Sequence, residues 1–442
     1  MGRVTAGKLA DRLKKIPFSQ YERELDVLLG LKVLPNGARR IDRSVSPEIT
    51  GESHSWADIG EAICGRDLMK RMKDRRFGNI RGGRWEASEE AGAGAMGPSQ
   101  FQAINYWSET TAKILEAVGL AQYEQPEFIT DKVTTLKPGV IMNVGRRSRY
   151  SPPTTSVKKK LLPNEPIPMG SMDAEWIDVN PVEKHGQGLA ISTETMLFDG
   201  KQGEAVEAVQ NIAYQIGWAK EDRGLRALFG IENTYRYGAA DSAGTSTTFN
   251  TYQTAAVGLA NYINVAPLLD LDTEEDLDAI EQLYLAMKHP RTGYPINVGG
   301  KRMLITMPYK TMAARRLSRI TTIEQGARAA APAAVETTSP TWAGPLIQPM
   351  VSQRALDLMT TADAALGWTA LTTTQAKYRT VYGDPQKAFE YREARPFQSW
   401  SWNMTQDPSL ALHDCFMMVV ALEQGSVTIV EPRHVVLTTK DS

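Results

Sequence analysis

Between Lys132 and Asn164 the chain carries Lys132, Lys137, Arg146, Arg147, Arg149, Lys158, Lys159 and Lys160 and not one acidic residue. The centre of this stretch, Ser151-Pro152-Pro153-Thr154, is polar and stiffened by two prolines, and few of its side chains could fill a core. Such a segment is expected to project from a folded body as an extended hairpin or loop. On composition a disordered linker is the alternative. Ordering it inside one monomer would cost chain entropy and return little burial, so its order is expected to come from a partner surface.

The rest of the chain is ordinary globular material, with 42% hydrophobic and 23% charged residues over 442 positions. At about 150 residues per domain that length suggests two to four domains, and the composition excludes wholesale disorder, a collagen-like fibre and a pure coiled coil. Fifty Lys and Arg stand against 51 Asp and Glu, a formal net charge of -1. The molecule as a whole is therefore no attractor of polyanions, although local basic stretches remain. Cys64 and Cys415 are the two cysteines, which rules out a disulfide scaffold or a zinc ribbon. Met1 to Ala10 has no long apolar run, so no secretory signal is expected. Phe416 to Leu422, the longest apolar run, is too short to span a bilayer. No membrane contact is expected, and a cytosolic site of synthesis is.

Along the chain, Ser19 and Glu22 form a capping box ahead of Leu25, Leu28 and Leu29, which predicts a helix from Ser19 to Leu31. A second helix is expected from Ser55, with Trp56, Ile59, Ile63, Met69 and Met72 on its apolar side. Its polar side carries Arg66, Lys70, Arg71, Lys73, Arg75 and Arg76. Ser99 with Gln102 predicts a third helix bearing Phe101, Ile104, Ile114, Leu115 and Val118. A long helix is predicted from about Gly203 to Phe229, with Val206, Val209, Ile212, Ile216, Leu225 and Leu228 inward. Gly230 to Thr251 reads as loop. Asp270 to Arg291 begins in acids and ends in bases, which suits a helix macrodipole better than a metal site. Arg302 to Met307 reads as a strand followed by a helix to about Ile320. Phe416 to Leu422, Val427 to Val430 and Val435 to Thr438 read as three strands, separated by Gln424-Gly425 and Pro432.

No chemistry is legible. Gly92, Gly94 and Gly97 have dinucleotide-motif spacing, but Glu86 to Ala91 ahead of them is acidic and unlike a strand. Gly7-Lys8 is followed by Leu9 where a phosphate loop needs Ser or Thr. The histidines His54, His185, His289, His413 and His434 form no ligand pair. In a strand, His413-Asp414-Cys415 would alternate faces and so make no triad. No catalytic residue, cofactor or metal site is expected.

The order of segments is informative in itself. Ala95-Met96-Gly97-Pro98-Ser99-Gln100-Phe101 precedes a helix, and Lys184-His185-Gly186 to Glu194 follows the basic stretch. Gly200 to Phe229 is the long helix, Tyr382-Gly383-Asp384-Pro385 with Phe389 comes late, and Phe416 to Thr439 closes the chain with Val430-Glu431-Pro432-Arg433. In this order the chain resembles the major capsid proteins of tailed bacteriophages, the Hong Kong 97-like fold, over roughly residues 95 to 440. The resemblance implies an α+β protein with an N-terminal helical arm, residues 1–95, and a helix entering the body at 96–130. It implies an extended basic loop at 131–175 and a peripheral domain with a spine helix at 176–255. An axial domain at 256–405 and terminal strands at 406–442, returning to the peripheral domain, complete it.

The implied function is structural: hexamers and pentamers of this chain forming an icosahedral shell around double-stranded DNA, in a virion assembled in the host cytoplasm. Portal, scaffold and decoration proteins are implied partners. Arg146, Arg147, Arg149 and Lys158 to Lys160 would lie in the inter-subunit loop. The basic side formed by Arg66, Lys70, Arg71, Lys73, Arg75 and Arg76 would face the interior and neutralise phosphates without reading sequence; a solvated helix face is the alternative. An encapsulin-like compartment shares the fold. A soluble cytosolic α/β enzyme with an unrecognised site is the reading from a different class.

Overall fold

A computed structural model describes residues 18–33, 39–42, 56–64, 98–124, 128–140, 146–151, 173–192, 202–232, 235–239, 247–252, 262–263, 279–284, 287, 301–310, 346–403 and 415–439. Helices and sheets are intermixed along it, as the α+β expectation has it. The chain divides into two compact units. Unit 1 comprises residues 1–127, 183–219 and 395–425, and unit 2 comprises 128–182, 220–394 and 426–442.

Unit 1 begins with α1 (Phe18–Leu28), the short hairpin β1 (Leu31–Val33) and β2 (Arg39–Ile41), α2 (Trp56–Cys64) and α3 (Pro98–Tyr123). Helix α1 starts one residue before the Ser19 expected to cap it, and α3 starts at Pro98 rather than after Ser99. Proline suits the first helical position because its missing N–H has no partner there anyway. The four leucines Leu25, Leu28, Leu29 and Leu31 are buried in the unit 1 core with Trp56, Ile59, Trp107, Ile114 and Leu115. The indole Nε1–H of Trp107 donates to the carbonyl of Trp56 at 3.0 Å, so the largest side chain of α3 is satisfied as well as buried. A part-buried charge chain also ties this region to α3. Arg39 Nε reaches Asp26 at 3.0 Å, its Nη1 reaches Glu116 at 3.3 Å, and Lys113 meets Glu116 at 3.1 Å.

Helix α4 (Thr130–Val133) and strands β3 (Thr135–Pro138), β4 (Arg146–Ser151) and β5 (Asp173–Asp178) open unit 2. Strand β6 (Glu183–Ser192) returns to unit 1. Helix α5 (Gln202–Leu228) follows, its Val206, Val209, Ile212 and Ile216 in the unit 1 core and its Leu225 and Leu228 in that of unit 2. In unit 1, Gly119 of α3 leaves just enough room for Val209 and Ala213 of α5, whose side chains lie 3.4 and 3.7 Å from where a Cβ would stand. Helix α5 ends as sequence grammar requires, with Gly230 at φ 67 and the N–H of Ile231 bonding back to Arg226.

Gly230 to Thr251, expected as loop, contains β7 (Tyr235–Ala239) and β8 (Thr247–Phe249). Tyr, Thr and Phe at the strand positions outweigh the glycine and serine between them, because a short strand needs only a neighbour to complete its ladder. Strands β4, β5, β7 and β8 make an antiparallel sheet in that order. The second sheet of unit 2 runs β11 (Leu346–Val351), β10 (Lys301–Thr306), β12 (Thr380–Gly383), β15 (Val435–Thr438), β9 (Tyr262–Ile263). Helices α6 (Gln353–Thr360), α7 (Thr373–Tyr378) and α8 (Pro385–Ala388) also belong to unit 2, and β13 (Phe389–Asn403) and β14 (Cys415–Ile429) contribute to both units.

The terminal region corrects the sequence reading. Phe416 to Leu422 and Val427 to Val430 are not two strands broken at Gln424-Gly425; β14 runs unbroken from Cys415 to Ile429. Its register with β6 reaches the glycine, ending at Gly425↔Glu183, and the strand itself continues to Ile429. A glycine inside a strand weakens it without having to end it. After Arg302–Met307 the chain makes a 3-10 turn at Pro308–Lys310, and the rest of the helix expected to about Ile320 lies outside the described residues. Asp270 to Arg291 is described at 279–284, which is helical, and at 287.

The segment Tyr382-Gly383-Asp384-Pro385 has a physical explanation. Gly383 sits at φ 140, a backbone state that favours glycine, and a Cβ there would collide with the His434 carbonyl and the Tyr284 hydroxyl. The N–H of Asp384 donates to the His434 carbonyl at 2.8 Å, and Pro385 takes the first position of α8. Tyr382 donates its hydroxyl to Glu281 at 2.8 Å, and Glu281 takes Arg302 in a two-pronged pair at 2.9 and 3.2 Å. Glu281 therefore does more than complement a helix dipole: it is a tether between three elements of unit 2.

Candidate assembly surfaces

The basic stretch is rooted at both ends in unit 2. On the outgoing side, Glu221 of α5 accepts the backbone N–H groups of Ile129 and Thr130, both at 2.9 Å. The Thr130 hydroxyl donates back to the Glu221 carbonyl at 3.3 Å. Lys220 pairs with Asp131 at 2.6 Å and lies 4.7 Å over the ring of Tyr391. Arg223 donates to the Tyr391 hydroxyl at 3.4 Å. Glu221 is 2% exposed and Lys220 4%. Burial pushes the Glu221 carboxyl above its ordinary value of 4.5 against the pull of the two N–H donors. Burial works to lower the Lys220 ammonium, but Asp131, Tyr391 and Glu393 together outweigh it and the ammonium stands above its ordinary value of 10.5.

The chain then runs into β3, which pairs in parallel with β13 from Glu390↔Thr135 to Glu393↔Pro138. Gln386 donates to the Lys132 carbonyl at 2.8 Å, and the Thr135 hydroxyl to the Gln386 carbonyl at 2.5 Å. On the returning side, Ile177 and Val179 are buried. Asn180 donates from its amide side chain to the Val427 carbonyl at 2.8 Å and accepts the Ser426 hydroxyl at 3.3 Å.

Helix propensity alone favours alanine over glycine by about 1 kcal/mol in the interior of α5. At Gly224 packing reverses that sign, because a Cβ there would overlap the side chain of Thr130. Gly224→Ala is expected to lose about 1–3 kcal/mol of stability, as overpacked sites do, read as a lower denaturation midpoint. An unchanged or raised midpoint would show that Thr130 moves aside freely.

Between the two roots lies β4, an edge strand among the described residues, which pairs antiparallel with β5. The register sets Arg146 opposite Asp178, Arg147 opposite Ile177 and Arg149 opposite Glu175. Part of the basic stretch is thus a strand on its own chain rather than a bare loop. Lys158, Lys159 and Lys160 lie outside the described residues, as do Arg66, Lys70, Arg71, Lys73, Arg75 and Arg76. The structure therefore brings the three arginines together on one edge and leaves the other nine candidates unplaced.

A second surface was not singled out from sequence. Strand β6 of unit 1 pairs with β14 on one side and, among the described residues, has no strand on the other. Glu183, Lys184, Gly186, Gln187 and Gly188 are exposed. Gly186 and Gly188 let Leu422, Val420 and Met418 of β14 close over them. An edge of this length without proline is the kind of template on which another strand adds. Among the described residues no group of three or more His, Cys, Asp and Glu is arranged to hold a metal, and no helix is long and apolar enough to cross a membrane.

No family model and no curated protein matches the sequence. Solved structures resemble the chain at low identity. The capsid of the cyanophage P-SCSP1u is 12% identical, covering 71% of this chain and 88% of that one at a TM-score of 0.40. The structure from Gordonia phage Cozz is 15% identical over 72% of this chain and 87% of its own, at 0.38. A virus-like particle from Pyrococcus furiosus is 8% identical over 73% and 97%, at 0.35.

Proposed function

We propose that this chain is a non-catalytic shell protein: a major capsid protein of the Hong Kong 97-like type that assembles as hexamers and pentamers into an icosahedral container for double-stranded DNA. The observation that carries the reading is the basic, acid-free arm, held by buried bonds at its outgoing root and by part-buried ones at its returning root, while its own middle offers little to bury. A protein gains from fixing the roots of a core-poor arm when the arm completes a neighbour. Closed symmetry then repeats one such contact over the whole container. Individually weak ion pairs, about 0–1 kcal/mol each at exposed sites, become effective when many act together.

In this reading Arg146, Arg147, Arg149 and Lys158 to Lys160 meet a neighbouring subunit. Arg66, Lys70, Arg71, Lys73, Arg75 and Arg76 face the packaged DNA and bind it through phosphate charge. Portal, scaffold and decoration proteins are further partners, and the finished particle is a virion assembled in a host cytoplasm. Sedimentation and electron microscopy of the purified chain test the proposal. Regular closed particles many times the subunit mass are expected. A monomer-sized species under every assembly condition would overturn it, and closed particles that hold a protein cargo in place of nucleic acid would favour the compartment reading.

A further inference from the structure

We infer that Glu221 and Lys220 of α5 are positioning residues that fix the outgoing root of the basic arm and thereby set where the arm reaches; this rests on the shell reading and goes beyond it to name the device. Lys220, Glu221 and Arg223 fall within one turn of a helix and are all buried. Burying ionised groups is costly, and an apolar turn would stabilise the same core as well or better. What charged groups add is selection of one arrangement.

Here the selected arrangement is definite. Glu221 takes two consecutive amide donors, Ile129 and Thr130, at the start of a four-residue helix that has no side-chain cap of its own. Lys220 takes the next residue's carboxylate, Asp131. Gly224 one turn on leaves the space that Thr130 fills. Three consecutive residues of the root are therefore keyed to α5, and a slip by one residue would displace one of the two amide donors from Glu221 and leave the Lys220–Asp131 pair broken. From Thr135 the keyed segment passes directly into β3, whose register with β13 is fixed in turn. The start of the arm is therefore held in one register on α5 and on β13.

Hydrogen exchange on the full-length subunit and microscopy of its particles together test this, in Glu221→Gln, Glu221→Ala and Lys220→Met. The expected result is exchange about tenfold faster or more at residues 128–134 in Glu221→Ala, because a charge-assisted bond is removed from each of two amides. Protection in β14 and β15 should be unchanged. Glu221→Gln keeps an acceptor oxygen and should fall between. Particles from Glu221→Ala and Lys220→Met should be heterogeneous in size. Uniform wild-type particles from a subunit whose root exchanges faster would overturn the positioning role, and unchanged exchange at 128–134 would overturn the clamp itself. Loss of protection across β14 and β15 in all three variants would make the pair a general core element and overturn the inference. Absence of particles from the wild-type chain would defeat the shell reading, and with it the arm's role, while the exchange result would still decide whether the clamp exists.

Discussion

Replacing residues 144–161 by a short Gly-Ser turn is expected to leave both compact units folded and to abolish regular shells. The cut removes β4 and with it Arg146, Arg147 and Arg149, as well as Lys158, Lys159 and Lys160. It spares every contact that anchors the roots: the Glu221 bonds to Ile129 and Thr130, the β3–β13 ladder, and the Asn180 bonds to β14. Strand β5 loses its pairing with β4 but keeps the register Glu175↔Ala239 to Ile177↔Tyr237 with β7. The subunit should therefore unfold with nearly the wild-type midpoint, whereas size-exclusion chromatography and microscopy should show no closed particles. Shells of wild-type size and thermal stability from the shortened chain would mean the arm completes no neighbour.

Trp107→Ala should have the largest effect on the subunit itself. The side chain is 0% exposed and its indole nitrogen is bonded to Trp56. Truncating a buried tryptophan removes its transfer free energy and leaves a cavity, a loss of about 3–5 kcal/mol. Against a typical domain stability of about 5–15 kcal/mol, that is enough to populate unfolded chains. Denaturant unfolding of the unassembled subunit measures it. Val27→Ala on α1, at a site 59% exposed, serves as the control and should stay within about 0.5 kcal/mol of wild type. A Trp107 variant as stable as the Val27 variant would show that the unit 1 core is not organised around this residue.

What could be read from sequence was what is local. The spacing of Val206, Val209, Ile212 and Ile216 predicted α5 to within a residue or so at either end, because helical periodicity is written in neighbouring positions. The closing strand Val435–Thr438 was legible for the same reason, bounded as it is by Pro432. Lys220-Glu221-Asp222-Arg223 shows the limit. Four charges in a row look like a solvated turn, yet Lys220, Glu221 and Arg223 are buried. Their partners Ile129, Thr130, Asp131 and Tyr391 lie far away in sequence, and no periodicity announces them. The same holds for β6 as a sheet edge: a strand's sequence can show that it is a strand, but whether it has one neighbour or two depends on the rest of the sheet. Glu281 falls in the stretch from Asp270 to Arg291 that begins in acids, and Tyr382 in the segment Tyr382-Gly383-Asp384-Pro385, but only the fold joins them.

Each unit is assembled from three separated stretches of chain, and the last stretch of unit 1 is residues 395–425. On a ribosome adding about 5–20 residues per second, α1, α2 and α3 are made well before Phe397, Met417, Val419 and Ala421, which complete their core. Unit 2 waits even longer, for Val427, Ile429, Val435 and Leu437. Neither core can close during most of synthesis, and such non-local pairing slows folding while leaving apolar surface exposed. Yield of soluble chain should therefore depend on translation speed and on chaperone supply, and stop codons near the 3′ end of the message should be more damaging than the few residues lost would suggest.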